Sequence, residues 1–297
     1  MKRVLNIGSL NIDRTYTVEH FVQPKETIKA LRYEEFCGGK GLNQSVALAR
    51  AGAQVFHAGA VGADGDALVT ILEESGADTT YLLHTSGASG HAVIQIDESG
   101  QNNIIIAGGA NESISREYIQ DVLEHFMPGD VVLLQNEVSN VDFAIEEAKK
   151  RGLFVAFNPS PINDNIWKCP LQLVDLFLVN EIEAATLSGV SSEEPKQILE
   201  ALAARYPNAA FVLTLGEGGA YYFDEKELQY HDIFPVQAVD TTAAGDTFCG
   251  YFIAAMAQGL EKIECVTRAS AASAIAVTRK GAAPSVPTKA EVEAMLA

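Results

Sequence analysis

Cysteine is scarce in this chain and scattered: Cys37, Cys169, Cys249 and Cys265 are the four in 297 residues, with no C-x-x-C pair and no histidine at ligand spacing. Nothing in that pattern supports a structural zinc site, and such thiols read as reduced, mostly buried residues of a cytoplasmic protein. The histidines, His20, His57, His84, His91, His125 and His231, form no H-x-x-x-H pair and receive no role. Positive charge is also in short supply. Against 39 Asp and Glu stand 21 Lys and Arg, a formal net charge of −18 with no basic cluster, which argues against a nucleic-acid backbone or an anionic membrane as partner. No apolar run approaches the roughly 20 residues that span a bilayer. The basic start Met1-Lys2-Arg3 leads into an apolar stretch broken at Asn6, Gly8, Asn11 and Asp13, a pattern that predicts a first strand and not a signal peptide. Neither familiar nucleotide loop, G-x-x-x-x-G-K-[ST] or G-x-G-x-x-G between strand and helix, occurs.

What is present is a foldable α/β sequence. Hydrophobic residues make up 47% and charged residues 20%, without a low-complexity tract, so the expectation is one large domain over residues 1–297. Short apolar runs predict strands over Val4 to Ile7, Gln54 to Ala58, Val131 to Leu134, Phe154 to Phe157, Leu176 to Val179 and Ala210 to Leu215. Helical spacing lies between them, in Asn43 to Ala51, Ala67 to Glu74, Tyr118 to Phe126, Phe143 to Lys150 and Gln197 to Tyr206. Alternation of this kind predicts a mainly parallel sheet covered by helices on both faces. Two segments depart from it, and both read as antiparallel strands: about 13–36, with β-prone Thr15 to Val18 and Ile28 to Tyr33, and 91–106, with turn residues Asp97 to Gly100 between two apolar arms. Together they predict a small sheet standing off the core, as a cover or a dimer surface.

The densest chemistry lies in Asp240-Thr241-Thr242-Ala243-Ala244-Gly245-Asp246-Thr247-Phe248, small residues and then a carboxylate opening an apolar helical stretch. Backbone N–H groups at a helix start lack helical partners, and small side chains leave room for an anion to reach them. A carboxylate there suits a base that accepts a hydroxyl proton. An Asp N-cap behind a loop would use the same residues. Four further clusters fall at predicted strand ends, the edge where open α/β sheets bind ligands: Gly8 to Asp13, with Asn11 and Asp13; Gln135-Asn136-Glu137; Asn180 to Glu183; and Thr214 to Gly219, with its glycine turn at Gly216. Gly38-Gly39-Lys40-Gly41-Leu42-Asn43-Gln44 adds backbone N–H groups, an ammonium and an amide ahead of a helix, a set suited to hydroxyl-rich ligands. Each cluster alone has a bland reading as a turn or cap. Their joint order is that of a single crevice.

Gly38-Gly39-Lys40-Gly41 with Asn43, and Asp240 through Phe248 about 200 residues later, together resemble the two signatures of the ribokinase family of carbohydrate kinases, which includes adenosine kinase and fructokinases. The run Ala276 to Ser285 is also similar, and the resemblance covers essentially the whole chain. It implies a three-layer α/β/α core with a mainly parallel sheet and a small β-sheet lid that forms a homodimer contact. It implies ATP-dependent phosphorylation of a free pentose such as D-ribose, with Asp246 as base and the amides of Ala244, Gly245 and Asp246 as anion hole. By the same resemblance Asn11, Asp13, Gly39, Lys40, Asn43 and Glu137 hold the pentose. Asn180, Glu183, Thr214, Gly216 and Gly245 face the nucleotide, Glu183 reaching Mg²⁺ through water. Asp240, Thr242, Ala276, Arg279, Gly281 and Ser285 match the ligands of an activating monovalent cation, K⁺, several through carbonyls.

Two departures stand out. Pro24-Lys25-Glu26-Thr27 replaces the lid's usual Pro-Gly-Glu-Thr, and Ser270 stands where some members carry a histidine near adenine. A single cation, Lys40, among carboxylates and amides favours a neutral polyol over a sugar phosphate, which calls for an arginine or lysine cluster. Another free sugar or a nucleoside is the alternative acceptor, and a non-catalytic sugar-binding protein on the same fold is the reading from a different class.

Overall fold

The computed structural model describes residues 1–190 and 194–297. The chain begins with β1 (Val4–Ile7), then β2 (Asn11–Thr17), β3 (Arg32–Gly38), α1 (Lys40–Arg50), β4 (Val55–Val61), α2 (Asp66–Ser75) and β5 (Asp78–His84). A hairpin, β6 (Gly90–Ile96) and β7 (Asn102–Ala107), follows, then α3 (Arg116–Leu123), β8 (Val131–Gln135), α4 (Val141–Lys150) and β9 (Phe154–Asn158). The remainder is β10 (Leu176–Asn180), α5 (Glu181–Ser188), α6 (Pro195–Arg205), β11 (Ala210–Thr214), β12 (Ala220–Phe223), β13 (Leu228–His231), α7 (Ala244–Ala257), α8 (Lys262–Val277) and α9 (Lys289–Leu296).

A nine-stranded sheet of order β13-β12-β11-β10-β9-β8-β1-β4-β5 forms the centre. From β11 to β5 neighbouring strands pair in parallel, whereas β12 and β13 close one edge antiparallel. Strands covered on both faces must be apolar throughout, which is why VLNI and VVLLQ carry so little polar character. Period-two alternation then sorts their side chains between the faces. Val4, Val131, Leu133 and Ala156 pack in one cluster with residues of α1, α7 and α8, while Leu5, Ile7, Val132, Leu134 and Val155 pack in the other with α3, α4, α5 and α6. Asn6, Gln135 and Asn158 share parity with the first set, and so turn polar side chains toward α1.

α1 is unusual in being buried without a break from Gly41 to Leu48, Asn43, Gln44 and Ser45 included. It seats this deeply because its first turn meets backbone directly: a methyl on Gly41 would fall 2.3 Å from the Ser9 nitrogen. Beside it, α7 is hydrophobic nearly all round and buried accordingly. Gly250 of α7 lets the two helices touch, since a methyl there would lie 2.4 Å from Ala47 Cβ.

The second sheet has order β3-β2-β6-β7, with β2 and β6 parallel and both outer pairs antiparallel. The two expected antiparallel pieces therefore join through a parallel seam. Two positions differ from expectation. β3 occupies Arg32–Gly38 and not Ile28 to Tyr33, and β2 begins at Asn11, so that Asn11, expected at the carboxyl end of the first strand, lies with Asp13 inside the second sheet. Pairing of Asn11 with Gly38 on one side and Gly90 on the other extends the strand through residues that locally favour turns. No helix among the described residues is long and apolar enough to cross a membrane.

Candidate active site

The site lies along the carboxyl-terminal ends of the central strands, where α1 and α7 bring their first turns together. Asp246 stands in the first turn of α7, is 7% exposed, and accepts from Asn43 Nδ2 at 3.0 Å and Gln44 Nε2 at 2.9 Å. Ala243, just before the helix, takes φ 57°, a left-handed conformation uncommon for a residue with a side chain, and thereby turns the chain sharply into α7. The Ala244 N–H, expected in the anion hole, instead donates to the Thr241 carbonyl at 3.2 Å. The first helical bond comes from Thr247 to Ala243, which leaves the Gly245 and Asp246 N–H groups as the unspent donors of the turn. A methyl on Gly245 would meet no atom outside its own turn within 4 Å, and Gly245 and Asp246 both border open space.

That space is a cavity of about 270 Å³ lined by Lys40, Asn180, Glu183, Thr214, Gly245 and Asp246, with Asn158 and Cys249 on its wall. Asn180 caps α5 in a reciprocal box: its Oδ1 accepts from the Glu183 N–H at 2.9 Å, and Glu183 Oε2 accepts from the Asn180 N–H at 3.0 Å. Glu183 is 4% exposed, so a carboxylate buried by its cap faces the cavity. Gly216, at φ 54°, opens the turn beyond Thr214 and does not line this cavity. Burial opposes the Lys40 ammonium, yet Asp246, Glu137 and Glu183 outweigh it and hold the group above the ordinary lysine range.

A second cavity of about 490 Å³ contains Asn11, Asn111 and Glu137 and opens toward the lid. The Lys40 N–H donates to Glu137 Oε2 at 3.0 Å, so the two cavities adjoin at the start of α1. Ser9 Oγ also donates to Glu137. Gly39 permits this approach: it sits at φ 93°, and a methyl there would lie 3.0 Å from the Asn11 nitrogen. Asn11 is set by Asn111, whose Nδ2 donates to Asn11 Oδ1 at 2.8 Å while its Oδ1 accepts from the Leu10 N–H at 3.0 Å. Burial, then the Glu137 charge, pushes Asp13 up to about 6, and burial raises Glu137 as well. Burial likewise drives the Cys249 thiol far above its usual range, leaving it inert as a nucleophile.

The third group forms where the loop before α7 meets the end of α8. Asp240 Oδ1 accepts from Thr242 N–H at 2.9 Å and from its hydroxyl at 2.6 Å, and Oδ2 accepts from the Gly281 N–H at 2.9 Å. Burial would raise Asp240, but these bonds hold it below the usual carboxylate range. The Arg279 guanidinium is turned away onto Glu291 at 2.5 Å, and the buried Ser285 hydroxyl donates to the Ala282 carbonyl at 2.7 Å. The Ala276 carbonyl accepts from the Arg279 N–H at 3.0 Å.

Sequence reasoning missed Asn6, Asn111 and Asn158 behind the site, and it placed Gln44 and Gln135 in ligand clusters without their link to Asp246. For Asn6 and Asn158 the signal is a polar residue at a core-facing position of an otherwise apolar run, VLNI and FVAFN; Asn111, in GANES, carries none.

The chain is similar to known proteins along its whole length. The chain is 35% identical to ribokinase of Haemophilus influenzae over 302 residues, covering 98% of this chain and 97% of that one. It superposes on a ribokinase structure from Thermotoga maritima with TM-score 0.87 at 36% identity, covering 100% and 99% of the two chains. Arabidopsis thaliana ribokinase, solved with ribose and ATP, gives TM-score 0.87 at 30% identity over 99% and 98%. Residues 1–289 match the pfkB family of carbohydrate kinases, and to that family this chain belongs.

Proposed function

We propose that the protein transfers the γ-phosphoryl group of ATP to the terminal hydroxyl of free D-ribose, giving D-ribose 5-phosphate and ADP. The observation that carries the reading is Asp246, a buried carboxylate bonded by Asn43 and Gln44 at the mouth of an open, amide-lined helix start. In this reading the sugar lies against Asn11, Asp13, Gly39, Lys40, Asn43 and Glu137, its terminal hydroxyl at Asp246. The new bond joins that oxygen to the γ-phosphorus as the bond to the β-phosphate oxygen breaks, and the hydroxyl proton passes to Asp246. Positioning and charge neutralisation do most of the work in such transfers. The Gly245 and Asp246 amides and the Lys40 ammonium meet the charge on the transferring group, and closure of the lid excludes water.

Glu183, buried and facing the phosphate cavity, would hold Mg²⁺ through water beside Asn180 and Thr214, which suits an ion that keeps most of its hydration. That ion would neutralise phosphate charge. Asp240, Thr242 and the carbonyls around Ala276, Arg279, Gly281 and Ser285 offer an all-oxygen donor set for K⁺. The protein would act as a cytoplasmic homodimer through the lid, whose outer strand β7 exposes Ile104, Ile105 and Ile106 by 52%, 65% and 60%. A coupled ADP-release assay with ribose, 2-deoxyribose, fructose and adenosine, with and without K⁺, tests the reading. Turnover with ribose at the highest kcat/KM is expected. Tight ribose binding without ADP release would overturn it.

A further inference from the structure

Gln44 follows Asn43 in a helix buried on every side, is 0% exposed, and donates to Asp246 Oδ1 at 2.9 Å. We propose that Gln44 is the positioning residue for Asp246, locked as a donor by a hydrogen-bond chain that ends on two main-chain carbonyls. The proposal rests on Asp246 being the base.

The direction of the chain follows from groups that can act in only one way. The Gly41 carbonyl only accepts, so the group bonded to it at 2.8 Å is the Asn6 amide nitrogen, which also donates to Ser45 Oγ at 2.8 Å. Asn6 Oδ1 is thereby an acceptor, and Gln135 Nε2 donates to it at 2.9 Å. The second Gln135 proton goes to Gln44 Oε1 at 2.7 Å. Gln44 is left with its nitrogen toward Asp246. A second anchor gives the same answer: Asn158 Nδ2 donates to the Leu178 carbonyl at 2.8 Å, so Asn158 Oδ1 accepts the other Gln44 proton at 3.1 Å.

Every amide proton of Asn6, Gln135 and Gln44 is spent, and reversing any one amide would set oxygen against oxygen at its neighbour. Gln135 Oε1 stays buried without a partner among the described residues, a defect the core tolerates while both Gln135 protons serve the chain. A network that served only to attach α1 to the sheet would not need one polarity throughout. Here the polarity delivers an N–H to one oxygen of Asp246 while Asn43 holds the other. The carboxylate is thus fixed in plane before the sugar arrives, which is the preorganisation that general-base transfer requires.

The test compares Gln44→Met, which keeps length and removes the donor, with the isosteric Gln44→Glu and with Gln135→Glu, which reverses polarity one residue further back. Loss of a hydrogen bond to the charged form raises a carboxyl pKa. Each variant is expected to lose kcat by about ten- to a hundredfold and to move the acidic limb of the kcat–pH profile upward by about one unit, with ribose KM changed less than about threefold. Placed in Asp246→Asn, Gln44→Met should change the residual turnover by less than about twofold, because it acts through the missing carboxylate. An unshifted limb with kcat within twofold, in Gln44→Met or, if that variant does not fold, in Gln44→Glu, overturns the proposal. So does an equal loss in the Asp246→Asn background. Full turnover in Asp246→Asn would remove the base reading itself; a large loss there with none in the Gln44 variants removes the positioning role alone.

Discussion

The Asp13 carboxylate occupies the space that a side chain on Gly38 would need: a methyl on Gly38 would fall 2.1 Å from Asp13 Oδ2. The two residues lie on neighbouring strands, β2 and β3, whose pairing is fixed by Asn11 opposite Gly38 and Asp13 opposite Phe36. Gly38→Ala should therefore displace Asp13 without disturbing α1 or α7. The expected outcome is a ribose KM raised at least about tenfold, the cost of one lost charge-assisted contact, with kcat changed far less. Equal loss in kcat would place Asp13 in the transfer step and not in sugar binding.

Asp13 also couples the site to stability. Its pKa rises from the ordinary 3.8 to about 6 in the folded protein, so between those values the folded state holds a proton that the unfolded chain has released. Stability from this group is present below the lower value and falls as pH rises through the window, with the full penalty above about 6. A shift of this size corresponds to roughly 3 kcal/mol as an upper bound. Asp13→Asn should melt higher than the native protein at pH 7.5, and the difference should close by pH 4. Calorimetric scans across that range check it, and a pH-independent difference would mean that burial and the Glu137 charge do not act on Asp13 as described. The same variant should bind ribose poorly.

How much of this was legible follows from burial. β1, β8, β9, β10 and β11 are covered on both faces, so their apolar runs announced them nearly to the residue. β5 and β13 went unseen because edge strands such as DTTYLLH and LQYH hold only exposed and half-buried positions and so carry no apolar run, and the four residues of β12 are too few to show a period. Asn11 and Asp13 looked like turn residues because their strand conformation is imposed by pairing with distant Gly38 and Gly90. The anion-hole segment was legible as chemistry, but the left-handed turn at Ala243 and the diversion of the Ala244 amide to Thr241 depend on backbone angles that residue type does not dictate.

Lys25 was singled out because the lid's usual glycine is missing there, and the structure supplies the reason a glycine suits: Lys25 sits at φ 72°. A left-handed residue with a side chain costs about 1–2 kcal/mol, partly offset in glycine by the greater freedom of the unfolded chain. Glu26 holds the turn against this strain, its N–H donating to the Gln23 carbonyl at 3.0 Å and its carboxylate accepting from the Gln23 N–H at 2.9 Å. Lys25→Gly should therefore raise stability by less than about 1 kcal/mol, whereas Lys25→Val, β-branched, should lower it by more than that. Urea unfolding of both variants decides the point. A stabilising valine would show that the turn is not left-handed in solution.

Gly245 separates catalysis from folding most cleanly. A methyl there meets no atom outside its own turn within 4 Å, and the residue lies in the first turn of α7, where alanine gains helix propensity of at most about 1 kcal/mol. The fold should accept Gly245→Ala with an unchanged or slightly higher melting temperature. The same methyl would enter the cavity that Gly245 and Asp246 line, where the proposed transfer places the phosphoryl group. Removing access to one oxyanion donor costs about 10²–10³ in kcat in comparable sites, and a loss in that range is expected here. Ribose affinity, measured without nucleotide by calorimetry, should be unchanged, because no sugar-facing residue moves. A variant that kept full kcat would show that phosphoryl transfer takes place away from the start of α7.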